Sequence, residues 1–343
     1  MQARGRGTIK PPIGIAFDAD PGNRIDAVLG VAMLNGFSAK GESRTISLSV
    51  SRTSLKTAQI ADIVAGFYRG RPAGAAQGGV GQITEGMLGM PEGAGVPDDT
   101  PALAATLSTK GPDGAPLYFS PIRRLLDTAE SSVLIRNMLL AQVDENATIV
   151  LAGPATGLAR ILALYGSRPQ IVAKVKQLVV AVGTFPSGPV EPSIKTDIAA
   201  ARKLFAEWPT TLIAVGSEVG AALPYPGSSI DADFSWSTAH PVVDAYRAAR
   251  SMPYDAPAAA LAALVQAVHP DDGYFKLSEP GTITVQDDGR TQFTARPEGK
   301  HQYLIVDPAQ KDRVVKLYTD MVSTKPVPRA GRGRGGAAPE TDE

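Results

Sequence analysis

Short apolar runs alternate along this chain with stretches in which apolar residues recur every three or four positions. Ile13 to Phe17 reads as a buried strand, stopped by Asp18-Ala19-Asp20-Pro21-Gly22, and Ile25 to Leu34 as the helix that follows. Thr45 to Val50 predicts a second strand and Ser54 to Tyr68 a second helix. Residues 70–117 are rich in Gly and Pro and predict a long loop region, and Ile122 to Val143 predicts a helix. Strands follow at Thr148–Leu151, Leu178–Val182 and Thr211–Val215, with helices at Thr156–Leu164 and Ile198–Glu207. Ala256 to Val268 is an Ala-rich helix. Thr282 to Val306 alternates apolar and polar residues around Asp287-Asp288-Gly289 and predicts a hairpin, and Asp307 to Val322 a closing helix. Strand–helix alternation of this kind implies an α/β fold, a mostly parallel sheet with helices on both faces and a small C-terminal hairpin.

Length and composition narrow the picture. The 343 residues are 43% hydrophobic, enough for one large core, and no break or repeat divides residues 11–324. Residues 1–10 and 325–343 are Gly/Arg-rich and read as disordered ends. The formal net charge is zero, so no global field draws in nucleic acid or an anionic membrane. The Arg-Gly repeats of the tail lack interleaved aromatics, so a solvated tail is favoured over an RNA contact. With no cysteine, disulfides, thiolate metal sites and Cys nucleophiles are excluded. No apolar run has the length of a membrane span. The basic start, MQARGRGTIKPP, has no apolar stretch behind it; a cytoplasmic location is expected, with export after removal of a leader as the alternative.

The candidate chemistry begins at the end of the first strand. Ligands of a parallel α/β sheet bind beyond the carboxyl ends of its strands. Asp18 and Asp20 stand at such an end, and Asp26 opens the next helix. Three carboxylates so close repel one another unless a hard cation sits among them; turn chemistry and helix capping are the plainer account.

Two families use such a segment. Ile15-Ala16-Phe17-Asp18-Ala19-Asp20 resembles the Asp-x-Asp of the haloacid-dehalogenase-like phosphatases, in which the first Asp is the nucleophile, but the Gly-Thr that should follow is Pro21-Gly22. Asp18-Ala19-Asp20-Pro21-Gly22-Asn23-Arg24-Ile25-Asp26-Ala27 resembles the signature of the inosine/uridine-preferring nucleoside hydrolases. Four further segments are similar to that family, in order. They are Thr148 to Ala159 around Gly153-Pro154, Lys174 to Gly183, Glu191 to Ala201, and Pro253-Tyr254-Asp255-Ala256-Pro257. Taken singly, Gly153-Pro154 reads as a turn, Glu191 as a solvated loop charge and Asp255 as a helix N-cap.

The resemblance implies a nucleoside-hydrolase fold with a Rossmann-like core, and calcium-dependent hydrolysis of the N-glycosidic bond of a ribonucleoside or related N-riboside. It implies Asp20 as calcium ligand and general base, Asp26 and Asp255 as further ligands, and Asp18 as a supporting carboxylate. Asp26, Glu191, Ser193 and Tyr254 would face the substrate. It also implies a small-molecule partner and a homodimer or homotetramer. Several positions depart from the family. The paired aspartate is reduced to Asp26 alone, Ser193 replaces an Asn, and Ser51-Arg52 replaces Gly-Asn. The loss of a carboxylate predicts weak or absent calcium, and leaves a non-catalytic, ligand-binding member of the fold as the alternative. Arg24, next to the carboxylates, suggests charge substituting for the metal or a substrate with an anionic group. His240 reads as a surface residue, with leaving-group acid as the alternative, and Trp236 as a loop anchor.

Overall fold

The computed structural model describes residues 10–70, 88–90 and 102–326. The strands are β1 (Ile13–Ala19), β2 (Ser43–Val50), β3 (Leu88–Met90), β4 (Ala129–Glu130), β5 (Ala147–Ala152), β6 (Val175–Val180), β7 (Thr211–Ala214), β8 (Phe275–Leu277), β9 (Gly281–Val285), β10 (Thr291–Ala295) and β11 (His301–Val306). The helices are α1 (Ile25–Ala39), α2 (Leu55–Tyr68), α3 (Ser131–Leu140), α4 (Thr156–Ile161), α5 (Ser167–Lys174), α6 (Pro192–Thr196), α7 (Ile198–Glu207), α8 (Ser217–Ala222), α9 (Gly227–Ala232), α10 (Pro241–Ala249), α11 (Ala259–Val268) and α12 (Lys311–Val322).

The strands form one sheet in the order β10-β9-β11-β7-β6-β5-β1-β2-β3-β4, with β8 paired to β11. From β7 to β4 every pairing is parallel. The chain enters at β1, runs outward through β2 to β4, and returns to lay β5 on the other flank of β1. The border between β1 and β5 is therefore the topological switch point, where doubly wound sheets hold their ligands.

Both faces of the sheet are covered, as its apolar strands require. Side chains alternate along β1. Ile15, Phe17 and Ala19 enter the core beneath α1, α2, α11 and α12, whereas Ala16 enters the opposite core beneath α3, α4 and α7. Asp18 shares the parity of Ala16. Helix α1 is buried on nearly all sides, and α12 lies against it so closely that a Cβ on Gly36 would collide with the Met321 carbonyl.

Where the expectations and the structure differ, the causes are local. The single helix expected over 122–143 is only α3. Ahead of it Asp127 accepts the Arg123 and Arg124 backbone N–H groups at 2.8 and 3.0 Å, which closes a 3-10 turn instead. Most of the long loop expected at 70–117 lies outside the described residues, but its described parts include β3 and a 3-10 turn at Ala104–Ser108. The hairpin is present as β9 and β10, turned at Gly289 with φ +87°, and β11 joins it to β7. The expected disordered ends lie outside the described residues apart from Lys10, Lys325 and Pro326.

Gly36→Ala is expected to lower unfolding stability by about 1–3 kcal/mol through overpacking of α1 on α12, read as a fall in the urea midpoint. A midpoint equal to that of the wild type would contradict the packing described.

Candidate active site

Four adjacent strands deliver the site. Beyond β1, Asp20 keeps the sheet pairing through its N–H to the Ala152 carbonyl (3.0 Å). Beyond β2, Ser51 bonds to Ala19 (2.8 Å), and beyond β6, Ala181 bonds to Leu151 (2.7 Å). Asp20, Ser51-Arg52, Gly153 and Ala181 are thus lined up along the carboxyl edge at the switch point. The approach is close: a Cβ on Gly153 would meet the Ser51 hydroxyl and lie 3.1 Å from Asp20 Cβ.

The Asp20 carboxylate is 1% exposed and forms an ion pair with Arg52 Nε. Asn23 Nδ2 donates to its Oδ1 at 3.1 Å and to its Oδ2 at 3.4 Å. Burial raises the Asp20 pKa above its ordinary value; Arg52, then Asn23 and Arg24, pull it partly back. Arg52 Nη2 also donates to Thr196 Oγ1 (3.2 Å), on α6. A second guanidinium lies beside the first pair. Arg24 grips Asp26 bidentately, Nε to Oδ1 at 3.1 Å and Nη2 to Oδ2 at 2.9 Å. Its Nη1 donates to the Ala181 carbonyl (2.9 Å) and to Ser193 Oγ (3.4 Å), and sits 3.8 Å from Glu191. Burial alone would lower the Arg24 pKa, but Asp26, then Glu191 and Asp20, hold it above its usual value.

Asp18 is wholly buried, and neither carboxyl oxygen has a hydrogen-bond partner among the described residues. Burial pushes its pKa up to about 7; Ser49 opposes this without meeting hydrogen-bond geometry, and Glu130 and Asp20 add to it. Room for the carboxyl comes from Gly157 on α4, where a Cβ would stand 3.0 Å from Asp18 Oδ2. Asp18 is thus closed off from solvent in this structure.

The remaining expected residues divide. Glu191 caps α6 by accepting the Ser193 and Ile194 N–H groups at 2.9 and 3.2 Å, and Ser193 Oγ donates back to it at 3.0 Å. Both therefore stand in the arginine network. Asp26 differs from expectation. Its Oδ2 also accepts the Ala260 N–H at 2.9 Å, so both oxygens are spent on Arg24 and on the first turn of α11. Asp255 lies on the segment leading into that same helix but is exposed, and it accepts the Gly227 N–H at 2.9 Å. Tyr254 stacks on Tyr246 at 4.4 Å and donates its hydroxyl to the Tyr246 carbonyl at 2.6 Å. His240 is neither a surface residue nor an acid. It is 2% exposed, packed against Phe67, Phe234 and Trp236 with centroids at 4.4, 4.8 and 5.2 Å. Its Nδ1 accepts the Val242 N–H (3.2 Å), and burial pushes its pKa down to about 3. Trp236 packs into the same cluster as an anchor. Two partners of the site were absent from the sequence-based set, Arg52 as the countercharge of Asp20 and Asn23 as its clamp. The signal for Arg52 was its place just past the strand next to β1.

Calcium takes six to eight oxygen ligands. Among the described residues, no three His, Cys, Asp or Glu side chains are grouped to hold a metal ion. Asp20 and Asp26 are each engaged by a guanidinium, and Asp255 turns to Gly227. A divalent cation at about 5 Å from one guanidinium would meet roughly 7 kcal/mol of repulsion at an effective dielectric of about 20. The residues present do not fit calcium.

The fold matches several solved structures. A plant nucleoside hydrolase superposes with a TM-score of 0.64 at 18% identity, covering 91% of this chain and 99% of that one. The inosine-uridine preferring nucleoside hydrolase from Bacillus anthracis gives 0.63 at 17% identity, covering 92% and 99%. An inosine-guanosine nucleoside hydrolase gives 0.67 at 14% identity, covering 90% and 98%. No protein-family model and no curated protein matches the chain. The fold is that of the nucleoside hydrolases, an α/β architecture around a mostly parallel sheet. No helix among the described residues is long and apolar enough to cross a membrane.

Two predictions follow from these contacts. Arg24→Ala strands Asp26 and the Ala181 carbonyl, and is expected to cost about 3 kcal/mol in urea denaturation. Arg24→Lys should recover only part of this, since one ammonium cannot span both partners; full recovery would contradict the bidentate geometry. The second concerns His240. Its folded pKa of about 3 lies below the ordinary value of 6.5, so its contribution is complete above 6.5 and drains away as pH falls toward 3. Stability should therefore drop on acidification by up to about 1.4 kcal/mol per pH unit more in the wild type than in His240→Asn. Parallel stability–pH curves would sink this reading.

Proposed function

We propose that this chain hydrolyses the N-glycosidic bond of a ribonucleoside or a related N-riboside at the carboxyl edge of β1, β2, β5 and β6. One observation carries the reading. A buried carboxylate, Asp20, stands at the switch point of a sheet that superposes over about nine-tenths of the chain on nucleoside hydrolases. In the reaction water adds to C1′ of the ribosyl group, the bond from C1′ to nitrogen breaks, and the base departs with a proton. Asp20 is the group placed to take the proton from the attacking water, with Arg52 and Asn23 fixing its orientation. Asp20 is assigned the negative potential that an oxocarbenium-like centre requires, and Asp18, which burial pushes toward neutrality, is assigned no charge in it. Glu191 and Ser193 are assigned to the ribose. Asp26 is assigned to holding Arg24 and α11, since both its oxygens are taken. No step is assigned to calcium. Assembly into a homodimer or homotetramer is proposed on the resemblance alone.

A second reading is binding without hydrolysis. What favours it is that Asp20 and Asp26 both already have countercharges.

The test is release of free base from a panel of purine and pyrimidine ribonucleosides, followed by chromatography in the presence of EDTA. The wild type should release base, and Asp20→Asn should be slower by at least about 100-fold while keeping its circular dichroism spectrum. Saturable nucleoside binding with no base released from any member would replace hydrolysis with the binding reading.

A further inference from the structure

We propose that Arg52 and Arg24 take over the charge-balancing role of a divalent cation in this site, which therefore works without metal. The inference rests on side-chain geometry and holds whether the site hydrolyses its ligand or only binds it.

The carboxylates at the edge of β1 are those that the sequence resemblance would give to calcium. In the structure two of them, Asp20 and Asp26, are each met by a guanidinium that is itself anchored. Arg52 comes from the end of β2, pairs with Asp20 and is tied by Nη2 to Thr196 on α6. Arg24 comes from the turn after β1, pairs bidentately with Asp26 and is tied to the Ala181 carbonyl at the end of β6. The side chains of both arginines are mostly buried, 17% exposed for Arg24 and 18% for Arg52. These are not surface ion pairs that swing aside at little cost. They bridge the ends of strands on opposite sides of β1, as a central ion would, but with fixed donors in place of vacant coordination positions. The third expected ligand, Asp255, is held by a backbone N–H elsewhere. A cation entering here would have to displace two anchored positive charges and would find no group of three carboxylates among the described residues.

Arg52 also differs from an ion in being permanently attached. Its Nη1 has no hydrogen-bond partner among the described residues, while its Nε and Nη2 do. That leaves the Nη1 N–H groups for a ligand hydroxyl, a contact that does not dissociate with chelators.

The test uses the full chain, freed of metal with EDTA and dialysed, then titrated calorimetrically with calcium chloride and melted in calcium or in EDTA. The expected result is no saturable calcium heat and the same melting temperature in both. Arg52→Met, which uncovers Asp20, is expected to melt lower than the wild type and to be raised by calcium, whereas Arg52→Lys should stay indifferent to calcium. Saturable one-to-one calcium binding by the wild type, or a lower melting temperature in EDTA, overturns the proposal. So does a folded Arg52→Met that calcium leaves unchanged, because Arg52 would then not stand where the cation's charge acts. If Arg52→Met does not fold, the wild-type titration decides alone. The outcomes separate this inference from the proposed reaction. Base release that requires calcium sinks the inference and spares hydrolysis, whereas calcium indifference with no base release does the reverse.

Discussion

The site depends on one electrostatic constraint. Several carboxylates are gathered at the rim of a sheet where water is largely excluded, and buried negative charge must be balanced or protonated. This chain uses both solutions side by side. Asp20 and Asp26 receive guanidinium partners, and Asp18, which receives none, is pushed toward neutrality by its surroundings. Gly157 belongs to the same solution, since it leaves the volume that the Asp18 carboxyl occupies, and Gly153 leaves that of the Ser51 hydroxyl. Removing either arginine would leave a buried charge, which is why arginines at this depth are held at several points rather than one.

The frame that makes this possible is simple. A sheet that starts at its own centre places the first strand's end between two crossovers, and strands on either side carry their pairing one residue past their last regular position. Side chains from distant parts of the sequence then converge without any long loop having to hold them. Arg24 reaches the β6 end and α6, and Asp26 reaches α11.

Much of this was legible in the sequence because the strands are short and apolar and their stops are chemically marked. β1, β2, β5, β6 and β7 lie within a few residues of where the pattern puts them, and the turn at Asp287-Asp288-Gly289 falls where β9 and β10 meet. Asp18, Asp20, Glu191 and Ser193 were singled out from order and motif, and the structure places them at one edge. What was not legible is pairing. Nothing local to Arg52 says that it faces Asp20, because the contact exists only once β2 lies beside β1. The structural partner of Asp26 is hidden for the same reason: Ala260 is 234 positions away. His240 looked exposed because it sits in a polar stretch with a proline, yet four aromatic rings close around it. The helix expected over 122–143 was shortened by a side chain, Asp127, competing for backbone N–H groups.

The packing of the last helix on the first has a bearing on how the molecule is made. α1, which carries Asp26 in its opening turn, rests on α11 and α12, elements that leave the ribosome long after it. Until they arrive, α1 lacks part of the cover over its apolar sides and Asp26 lacks its amide from Ala260. The growing chain therefore carries an open greasy flank until residues 259–322 have emerged, and closure of α1 waits on them.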